Sequence, residues 1–402
     1  MPPRDRGPNA PRVLIAGGGT AGHLMPGLAV ASALTDRGWP AEAIQFVGSA
    51  KGIDAQIVPA AGFHSTLLGG RGLTARRVNL ANARAAVSLA WATMRGVALV
   101  GRRRPAAVLS LGGYAALPAT VGAVVWRVPL VIAEQNAVAS ATNRLLGRFA
   151  RAAAVPVRGT GLRREIVTGN PVRPEVIEAA LESGDARARL GWPADATAIV
   201  VFGGSLGSLR INSAVWSALP SLRERDGVFV YHVVGKRDWD SRPPSPSRRP
   251  DGSRVSEWYR AVPFDEQLPV AMAAADLAIC RAGASTVAEL SVIGTPAVLV
   301  PLPIATNDHQ RRNAEELAAA GLGRVVPDAE FDSERMLAEI DRVSGCQSSA
   351  GPQSHAASPC PPDAGFGRRD SAERVAQLVI EHSSAVPHSV AHAAHPPEEH
   401  RR

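Results

Sequence analysis

Short apolar runs alternate with longer helical patterns between residues 11 and 168. The apolar runs predict buried strands at 13–16, 44–47, 107–111, 130–133 and 152–155. The intervening stretches predict helices at 24–34, 53–59, 84–100, 119–125 and 141–148. Alternation of strand and helix at this spacing favours a parallel sheet that is covered by helices on both faces.

Turn and proline signals interrupt this pattern at Gly169, Asn170 and Pro171, where we place a hinge between two domains. A second alternating unit begins with a predicted strand at 198–202 and continues with strands at 228–234, 277–280 and 297–301. The predicted fold class is therefore α/β, with two Rossmann-like, doubly wound parallel-sheet domains that face each other across a cleft. We predict an N-terminal domain at 11–168 and a C-terminal domain at 169–343.

The last part of the sequence has a different composition. Residues 344–369 are rich in Ser, Pro and Gly, which predicts disorder. A helical pattern returns at 370–381, and the polar segment 382–402 is predicted to be a disordered tail.

Both alternating units open with a strand, a glycine-rich turn and a helix. The turns are Gly-Gly-Gly-Thr-Ala-Gly at 17–22 and Gly-Gly-Ser-Leu-Gly-Ser at 203–208. Glycine allows close approach of the backbone to a ligand, and the first N–H groups of a helix can face an anion. His23 lies at the mouth of the first helix, where a neutral imidazole is suited to general base catalysis. A histidine that only caps the helix or binds phosphate is the alternative.

The first turn also fits a dinucleotide-binding fingerprint through Gly17, Gly19 and Gly22. That fingerprint needs an acidic residue at the end of the next strand, to bind a ribose. The predicted strand 44–47 is followed by Gly-Ser-Ala-Lys, so the carboxylate is missing. A nicotinamide or flavin enzyme is therefore disfavoured, and a turn that only packs a helix on a strand remains possible.

Cysteine content and hydropathy narrow the compartment. The 402 residues include three cysteines, Cys280, Cys346 and Cys360, without metal-ligand spacing, which favours a reducing compartment. No apolar stretch reaches the ~20 residues that a membrane-spanning helix requires. We expect a protein on the cytoplasmic side of the membrane.

Charge is distributed unevenly along the chain. Between Asp54 and Glu134 there is no Asp or Glu, which favours an anionic partner such as nucleic acid, a phosphorylated substrate or acidic lipid. Aromatic residues make up only 4% of the chain, which disfavours an RNA-binding protein that stacks bases. The same span contains nine arginines: Arg71, Arg76, Arg77, Arg84, Arg95, Arg102, Arg103, Arg104 and Arg127.

Large apolar residues alternate with these arginines between 67 and 104. Apolar side chains can enter a lipid headgroup region while arginines contact anionic lipid, so this span predicts peripheral docking on an anionic membrane surface. The alternative is that the apolar residues belong to the core. They are Leu67, Leu68, Leu73, Val78, Leu80, Leu89, Trp91 and Met94.

Several motifs together carry a family resemblance from about residue 12 to 326. They are Gly-Gly-Thr-Ala-Gly-His at 18–23, Gly-Gly-Tyr at 112–114, Glu-Gln-Asn at 134–136, Gly-Asn-Pro-Val-Arg at 169–173, the second glycine turn, Arg-Ala-Gly-Ala-Ser-Thr-Val-Ala-Glu at 281–289 and Asp-His-Gln-Arg-Arg-Asn-Ala at 308–314. In this order they resemble the GT-B glycosyltransferases, and among those the enzymes that add N-acetylglucosamine to lipid I to make lipid II for peptidoglycan.

The resemblance implies an inverting transferase without a cofactor or metal, in which His23 deprotonates the C4 hydroxyl of the acceptor. Gly204 and Ser205 would bind the donor diphosphate with Arg173 as counter-charge, and Glu289 would accept hydrogen bonds from the ribose hydroxyls. The full donor site implied for UDP-N-acetylglucosamine is Thr20, Gly22, Asn136, Arg173, Gly204, Ser205, Phe264, Ala284, Ser285, Glu289 and Gln310. The implied acceptor site for lipid I is Gly18, Gly19, Gly112, Gly113 and Tyr114.

The resemblance also sets the partners and the alternatives. It implies an anionic membrane surface, other cell-wall synthesis proteins as possible partners, and no nucleic acid. Asp54 stands where the family often has a glutamate. A UDP-sugar 2-epimerase of the same fold leaves the acid-free span unexplained, and a non-catalytic protein that binds anionic surfaces leaves Glu289 and Gln310 without a use.

Overall fold

Two parallel β-sheets organise the chain, one of seven strands and one of six. The computed structural model describes residues 13–50, 52–69, 80–204, 206–243, 258–349 and 366–384. Within these ranges, none of the helices combines the length and the apolarity that crossing a membrane would require.

The first sheet has the strand order β3-β2-β1-β4-β5-β6-β7. Its strands are β1 (Val13–Ala16), β2 (Ile44–Ser49), β3 (His64–Leu68), β4 (Ala107–Ser110), β5 (Leu130–Ala133), β6 (Ala152–Val155) and β7 (Glu165–Val167). The connecting helices are α1 (Ala21–Asp36), α2 (Asp54–Ala60), α3 (Leu80–Arg103), α4 (Gly113–Val125) and α5 (Ala141–Leu146). Because β1 lies between β2 and β4, the chain changes direction across the sheet at β1, and the loops after β1 and β4 lie side by side.

The second sheet has the order β10-β9-β8-β11-β12-β13. Its strands are β8 (Thr197–Phe202), β9 (Val228–Val233), β10 (Tyr259–Val262), β11 (Leu277–Cys280), β12 (Ala297–Leu299) and β13 (Gly323–Val325). The helices are α6 (Pro174–Leu181), α7 (Ala186–Leu190), α8 (Leu209–Arg223), α9 (Leu268–Ala274), α10 (Ala284–Ile293), α11 (His309–Ala319), α12 (Ser333–Ser349) and α13 (Ser371–His382). The corresponding change of direction falls between β8 and β11.

Burial explains which strands the sequence predicts. Every residue of β1, β4, β5, β6, β8 and β11 is buried, since helices cover both faces, and these strands are continuous apolar runs. The strands β3, β7, β10 and β13 were not predicted. They lie at the edges of the two sheets and contain exposed or half-buried residues, so they lack that pattern.

The prediction of disorder over 344–369 is wrong at both ends of this segment. The backbone of α12 remains helical as far as Ser349, and Phe366 is buried in the core of the second half. Gly367 pairs with Asn170 as an isolated bridge. The rest of that segment, 350–365, and the tail from 385 onward lie outside the described residues.

The final helix returns the chain to the first half. Val375 and Val379 of α13 are buried in the same core cluster as Ile15 of β1 and Leu34 of α1. Two segments therefore connect the halves, and they lie against each other because the N–H of Asn170 donates to the carbonyl of Phe366 at 2.9 Å.

A histidine is buried in the second half within a hydrogen-bonded network. Nε2 of His232 lies 3.0 Å from Oδ1 of Asn212, and Nδ1 lies 3.1 Å from the hydroxyl of Tyr259. The amide nitrogen of Asn212 donates to the carbonyl of Val234, so its Oδ1 accepts and Nε2 of His232 carries the proton. Burial lowers the pKa of His232 to about 3.

This burial predicts a loss of stability in acid. The pKa of His232 rises to an ordinary value near ~6.5 on unfolding, so its contribution is complete above that pH and falls as the pH drops toward 3. Between pH 7 and pH 5 the wild-type protein should lose about 2 kcal/mol more unfolding free energy than His232→Gln. Denaturant titrations of both proteins measure this difference, and equal acid losses would contradict it.

Candidate active site

The loops that follow the central strands of both sheets meet in one cleft. Ligands of open parallel sheets bind where the strand order changes direction, and both sheets present that edge. The N–H of Ala137, after β5, donates to Oδ1 of Asn313 on α11 at 2.9 Å. Nδ2 of Asn313 in turn donates to Oδ1 of Asn136 at 3.1 Å. Asn136, a predicted donor-binding residue, therefore lies at the junction of the two halves.

The first glycine turn is shaped by a buried carboxylate. Gly19 has φ 83°, and its N–H lies 2.9 Å from each carboxylate oxygen of Asp54. The N–H of Ser49 donates to the same carboxylate at 2.7 Å. We expected the amides of this turn to face an anionic ligand. At Gly19 that expectation needs correction, because the N–H already binds an anion of the protein.

His23 lies in the first turn of α1. Its Nδ1 is 3.1 Å from Oγ1 of Thr20, the residue that precedes the helix. A Cβ placed on Gly113 would lie 3.6 Å from Nε2 of His23, so the ring borders the loop that starts α4. Desolvation in the cleft lowers the pKa of His23, and the negative charge of Glu134 partly opposes this. A neutral imidazole at neutral pH is the form that accepts a proton.

The acceptor-side loops are held by a second carboxylate. Glu134, at the end of β5, accepts from the side-chain amides of Asn136 and Asn143 and from the N–H of Ser140. Gly112 has φ 83°, and a Cβ there would lie 2.7 Å from Oγ of Ser140. The loop after β4 therefore packs closely on the loop after β5.

Tyr114 links this loop to the first glycine turn. Its hydroxyl donates to Oγ of Ser49 at 3.1 Å, and a Cβ on Gly19 would lie 3.2 Å from the same hydroxyl. The predicted acceptor residues Gly19, Gly113 and Tyr114 thus lie together beside His23. Gly18 lies against Asp54.

The second glycine turn, residues 203–208, leads into the N-terminus of α8. Gly204 and Gly207 have φ 89° and 85°. Oγ of Ser208 accepts from the N–H of Ile211 at 3.5 Å and caps α8. Ser205, the predicted diphosphate ligand, lies outside the described residues.

Two aspartates near this turn, Asp238 and Asp240, were not among the predicted site residues. Asp238 is buried and accepts from Nδ2 of Asn212 at 3.0 Å and from Nε of Arg237 at 2.7 Å. A Cβ on Gly207 would lie 3.0 Å from Oδ2 of Asp238. These contacts make Asp238 a support of the glycine turn.

Glu289 and Arg173 form an ion pair on the donor side. Nη2 of Arg173, just before α6, lies 3.4 Å from Oε1 of Glu289 on α10. Burial raises the pKa of Glu289, and the guanidinium of Arg173 partly offsets this. Arg173 was predicted to neutralise the donor diphosphate; in this structure it neutralises the carboxylate that was predicted to bind ribose.

The start of α10 approaches the start of α1 across the cleft. A Cβ on Gly22 would lie 3.9 Å from Oγ of Ser285. This buried hydroxyl has no hydrogen-bond partner among the described residues. The carbonyl of Ala284 accepts from Nδ2 of Asn170 at 3.3 Å. The hydroxyl of Ser285 therefore lies between the two helix N-termini, and the described residues leave its hydrogen-bonding capacity unused.

The remaining predicted donor residues lie at the same edge of the second sheet. Oε1 of Gln310 accepts from the N–H of Leu302 at 3.0 Å, which leaves its amide nitrogen to a ligand. Phe264 is 44% exposed, and Nζ of Lys236 lies 4.6 Å from its ring centroid. Lys236 was not predicted, because a lone lysine after a strand carries no sequence signal.

Two domain models match the chain in succession. They are the glycosyltransferase family 28 N-terminal domain over residues 13–155 and the glycosyltransferase family 28 C-terminal domain over residues 198–375. Together they cover both sheets apart from the edge strand β7 and the first residue of β8.

Full-length relatives share this organisation. The chain is 40% identical over 378 residues to the UDP-N-acetylglucosamine–N-acetylmuramyl-(pentapeptide) pyrophosphoryl-undecaprenol N-acetylglucosamine transferase of Alkalilimnicola ehrlichii, which covers 92% of this chain and 98% of the relative. The protein of the same name from Nitrosococcus oceani is 38% identical and covers 93% and 99%.

Solved structures agree with the sequence relatives. The MurG protein of Acinetobacter baumannii superposes with a TM-score of 0.67 at 25% identity and covers 92% of this chain and 99% of that one. The glycosyltransferase of kitacinnamycin, at 16% identity and a TM-score of 0.62, shares the fold. These matches confirm the GT-B fold class and the resemblance that the motifs indicated. With a domain model on each half of the chain and relatives along nearly its whole length, the chain belongs to glycosyltransferase family 28.

Proposed function

We propose that this protein transfers N-acetylglucosamine from UDP-N-acetylglucosamine to the C4 hydroxyl of the N-acetylmuramyl group of lipid I, which yields lipid II. The names of its relatives support the donor and the acceptor. The observation that carries the proposal is the approach of α1 and α10, in which Gly22, the residue before His23, lies against the hydroxyl of Ser285, which has no partner among the described residues.

The reaction is a single displacement. His23 takes the proton of the acceptor hydroxyl, the oxygen attacks the anomeric carbon, and UDP leaves from the opposite side with inversion. Negative charge develops on the leaving diphosphate, and the N-termini of α8 and α10 together with Arg173 stabilise it. Glu289 accepts hydrogen bonds from the ribose hydroxyls. The charge of its carboxylate is then shared between the sugar hydroxyls and Arg173.

We also propose that α3 docks on the anionic cytoplasmic face of the membrane, where a lipid-linked acceptor lies. Val87, Trp91 and Met94 are 71%, 62% and 63% exposed and follow one another at helical spacing. The guanidinium of Arg104 lies 4.3 Å from the ring centroid of Trp126, the residue that follows α4. Exposed apolar side chains with arginines beside them suit an anionic lipid surface.

The predicted docking residues divide into three groups. Leu68 is buried in the core and is therefore excluded from the docking surface, while Leu67 and Leu89 are half-buried. Trp91 and Met94 are exposed, and Val87, which was not predicted, joins them. Outside the described residues or side chains lie Leu73, Val78 and Leu80, as do Arg71, Arg76 and Arg77.

The first test concerns the base. His23→Ala should lower kcat by ~10²–10⁴ with little change in donor KM, since a general base acts only in the chemical step. Because the pKa of His23 is lowered, the acid limb of the wild-type kcat/KM profile should lie below pH ~6.5 and should be lost in the variant. His64→Ala, at an exposed histidine of β3, is the matched control. Turnover near the wild-type rate in His23→Ala would exclude this role.

The second test concerns the ribose. Glu289→Ala should weaken UDP binding roughly tenfold or more, since each hydrogen bond to a charged group contributes ~1.5–3 kcal/mol. Calorimetry with UDP measures this, and Glu178→Ala, at an exposed glutamate of α6, should bind normally. Unchanged UDP affinity in Glu289→Ala would show that the carboxylate serves another purpose.

The third test concerns membrane docking. Changing Trp91 and Met94 together to Ser should reduce co-sedimentation with anionic vesicles about tenfold, because two side chains that enter the headgroup region are lost. Leu181→Ser removes a comparably exposed apolar side chain from α6 and should have no effect. Wild-type binding should weaken as salt rises. Equal binding of the wild-type protein to neutral and anionic vesicles would contradict the proposal.

A further inference from the structure

The glycines around the first turn accommodate a carboxylate of the protein itself. A Cβ on Gly18 would lie 2.5 Å from Oδ2 of Asp54, and one on Gly48 would lie 2.7 Å from the same atom. A Cβ on Gly52 would lie 2.5 Å from Cα of Gly19. Distances below 3 Å exclude any side chain at these positions. Glycine at 18, 48 and 52 is therefore required by the close packing of the turn around Asp54.

The carboxylate of Asp54 is 1% exposed and is held by backbone donors. Both of its oxygens lie 2.9 Å from the N–H of Gly19, and one accepts from Ser49 at 2.7 Å. A buried carboxylate is costly unless it is hydrogen-bonded, and bonds to an ionised acceptor are stronger than neutral ones. These contacts therefore fix the path of the backbone at Gly19 and at Ser49.

Each of these two points leads directly to a group in the cleft. Gly19 precedes Thr20, whose hydroxyl lies 3.1 Å from Nδ1 of His23 and whose carbonyl accepts from the N–H of His23 at 3.2 Å. Ser49 accepts a hydrogen bond from the hydroxyl of Tyr114 at 3.1 Å. One carboxylate thus holds both the loop that carries the imidazole and the loop that borders its Nε2.

We propose that Asp54 is a positioning residue that orients His23 through Gly19 and Thr20 and does not touch either substrate. The inference rests on the proposed function, since it takes His23 as the base. With the turn fixed, the hydroxyl of Thr20 accepts the Nδ1 proton, and the Nε2 lone pair points toward the loop of Gly113. A base held in this orientation meets the acceptor hydroxyl without reorganisation.

Asp54→Asn keeps the shape of the side chain and removes its charge and one acceptor. The amide offers one uncharged oxygen in place of two charged ones, so its hydrogen bonds to the backbone amides are weaker and the turn should loosen. We expect kcat to fall about tenfold to a hundredfold, as for a small misplacement of a catalytic group, while UDP affinity by calorimetry stays unchanged. Asp54→Glu keeps the carboxylate and should recover part of kcat.

A double variant separates positioning from general support of the fold. If Asp54 acts through His23, adding Asp54→Asn to His23→Ala should cause no further loss of kcat, since the two residues act as a unit. Equal losses on both backgrounds, wild-type kcat in Asp54→Asn, or a parallel fall in UDP affinity would each overturn the proposal.

A measurement on the unmodified protein guards against variants that do not fold. The Gly19 amide donates to a buried carboxylate, so hydrogen exchange resolved to single residues should show slow exchange at Gly19, besides the amides of Gly17 and His23, which donate to backbone carbonyls. Rapid exchange there would overturn the proposal. This readout needs no turnover. If the wild-type protein released no UDP in the presence of lipid I, the proposed function would fail, whereas the contact between Asp54 and Gly19 would still be tested.

Discussion

Buried carboxylates that accept hydrogen bonds from backbone or side-chain amides hold the loops of the cleft in place. Asp54 fixes the turn after β1, Glu134 fixes the loop after β5, and Asp238 supports the turn after β8. Removing a carboxylate from water costs several kcal/mol, and hydrogen bonds to it return ~1.5–3 kcal/mol each. The desolvation cost and the hydrogen bonds nearly cancel, so the net contribution to stability is small. The hydrogen bonds nevertheless restrict each loop to one conformation. Donors and dipoles that are fixed before the reaction begins usually contribute most to the stabilisation of a transition state.

This arrangement determines where the charge of the substrates can go. The carboxylates packed against these loops are negatively charged, so a bound diphosphate must be stabilised by helix N-termini and by arginine. In the structure Arg173 faces Glu289, whose pKa is raised by burial. A nucleotide that donates its ribose hydroxyls to Glu289 supplies new partners for that carboxylate and lets Arg173 interact with phosphate as well. In the proposed donor site, ribose binding and phosphate binding would therefore favour each other through this ion pair.

The sequence predicts what depends on neighbours along the chain. Strands β1, β5 and β11 were predicted to the residue, because burial on both faces leaves only apolar positions. The glycine turns were located for the same local reason, but their purpose was partly misassigned. Gly18 and Gly48 make room for Asp54, and no pattern announces that a carboxylate 36 residues further on packs against Gly18. The burial of Phe366 was not predicted, because a single aromatic residue does not outweigh the Ser- and Pro-rich composition of its segment.

The connection between the halves packs against α10, the helix that carries Glu289. A Cβ on Gly367 would lie 2.2 Å from the carbonyl oxygen of Ala288, so the returning segment presses directly on α10, one residue before Glu289. The same segment pairs with Asn170, whose side chain donates to Ala284 at the start of α10. Any movement of the halves about this connection must therefore carry α10 with it. Since Ser285 at the start of α10 faces Gly22 across the cleft, the packing of the two connecting segments also sets the position of α10 relative to α1, the helix that carries His23.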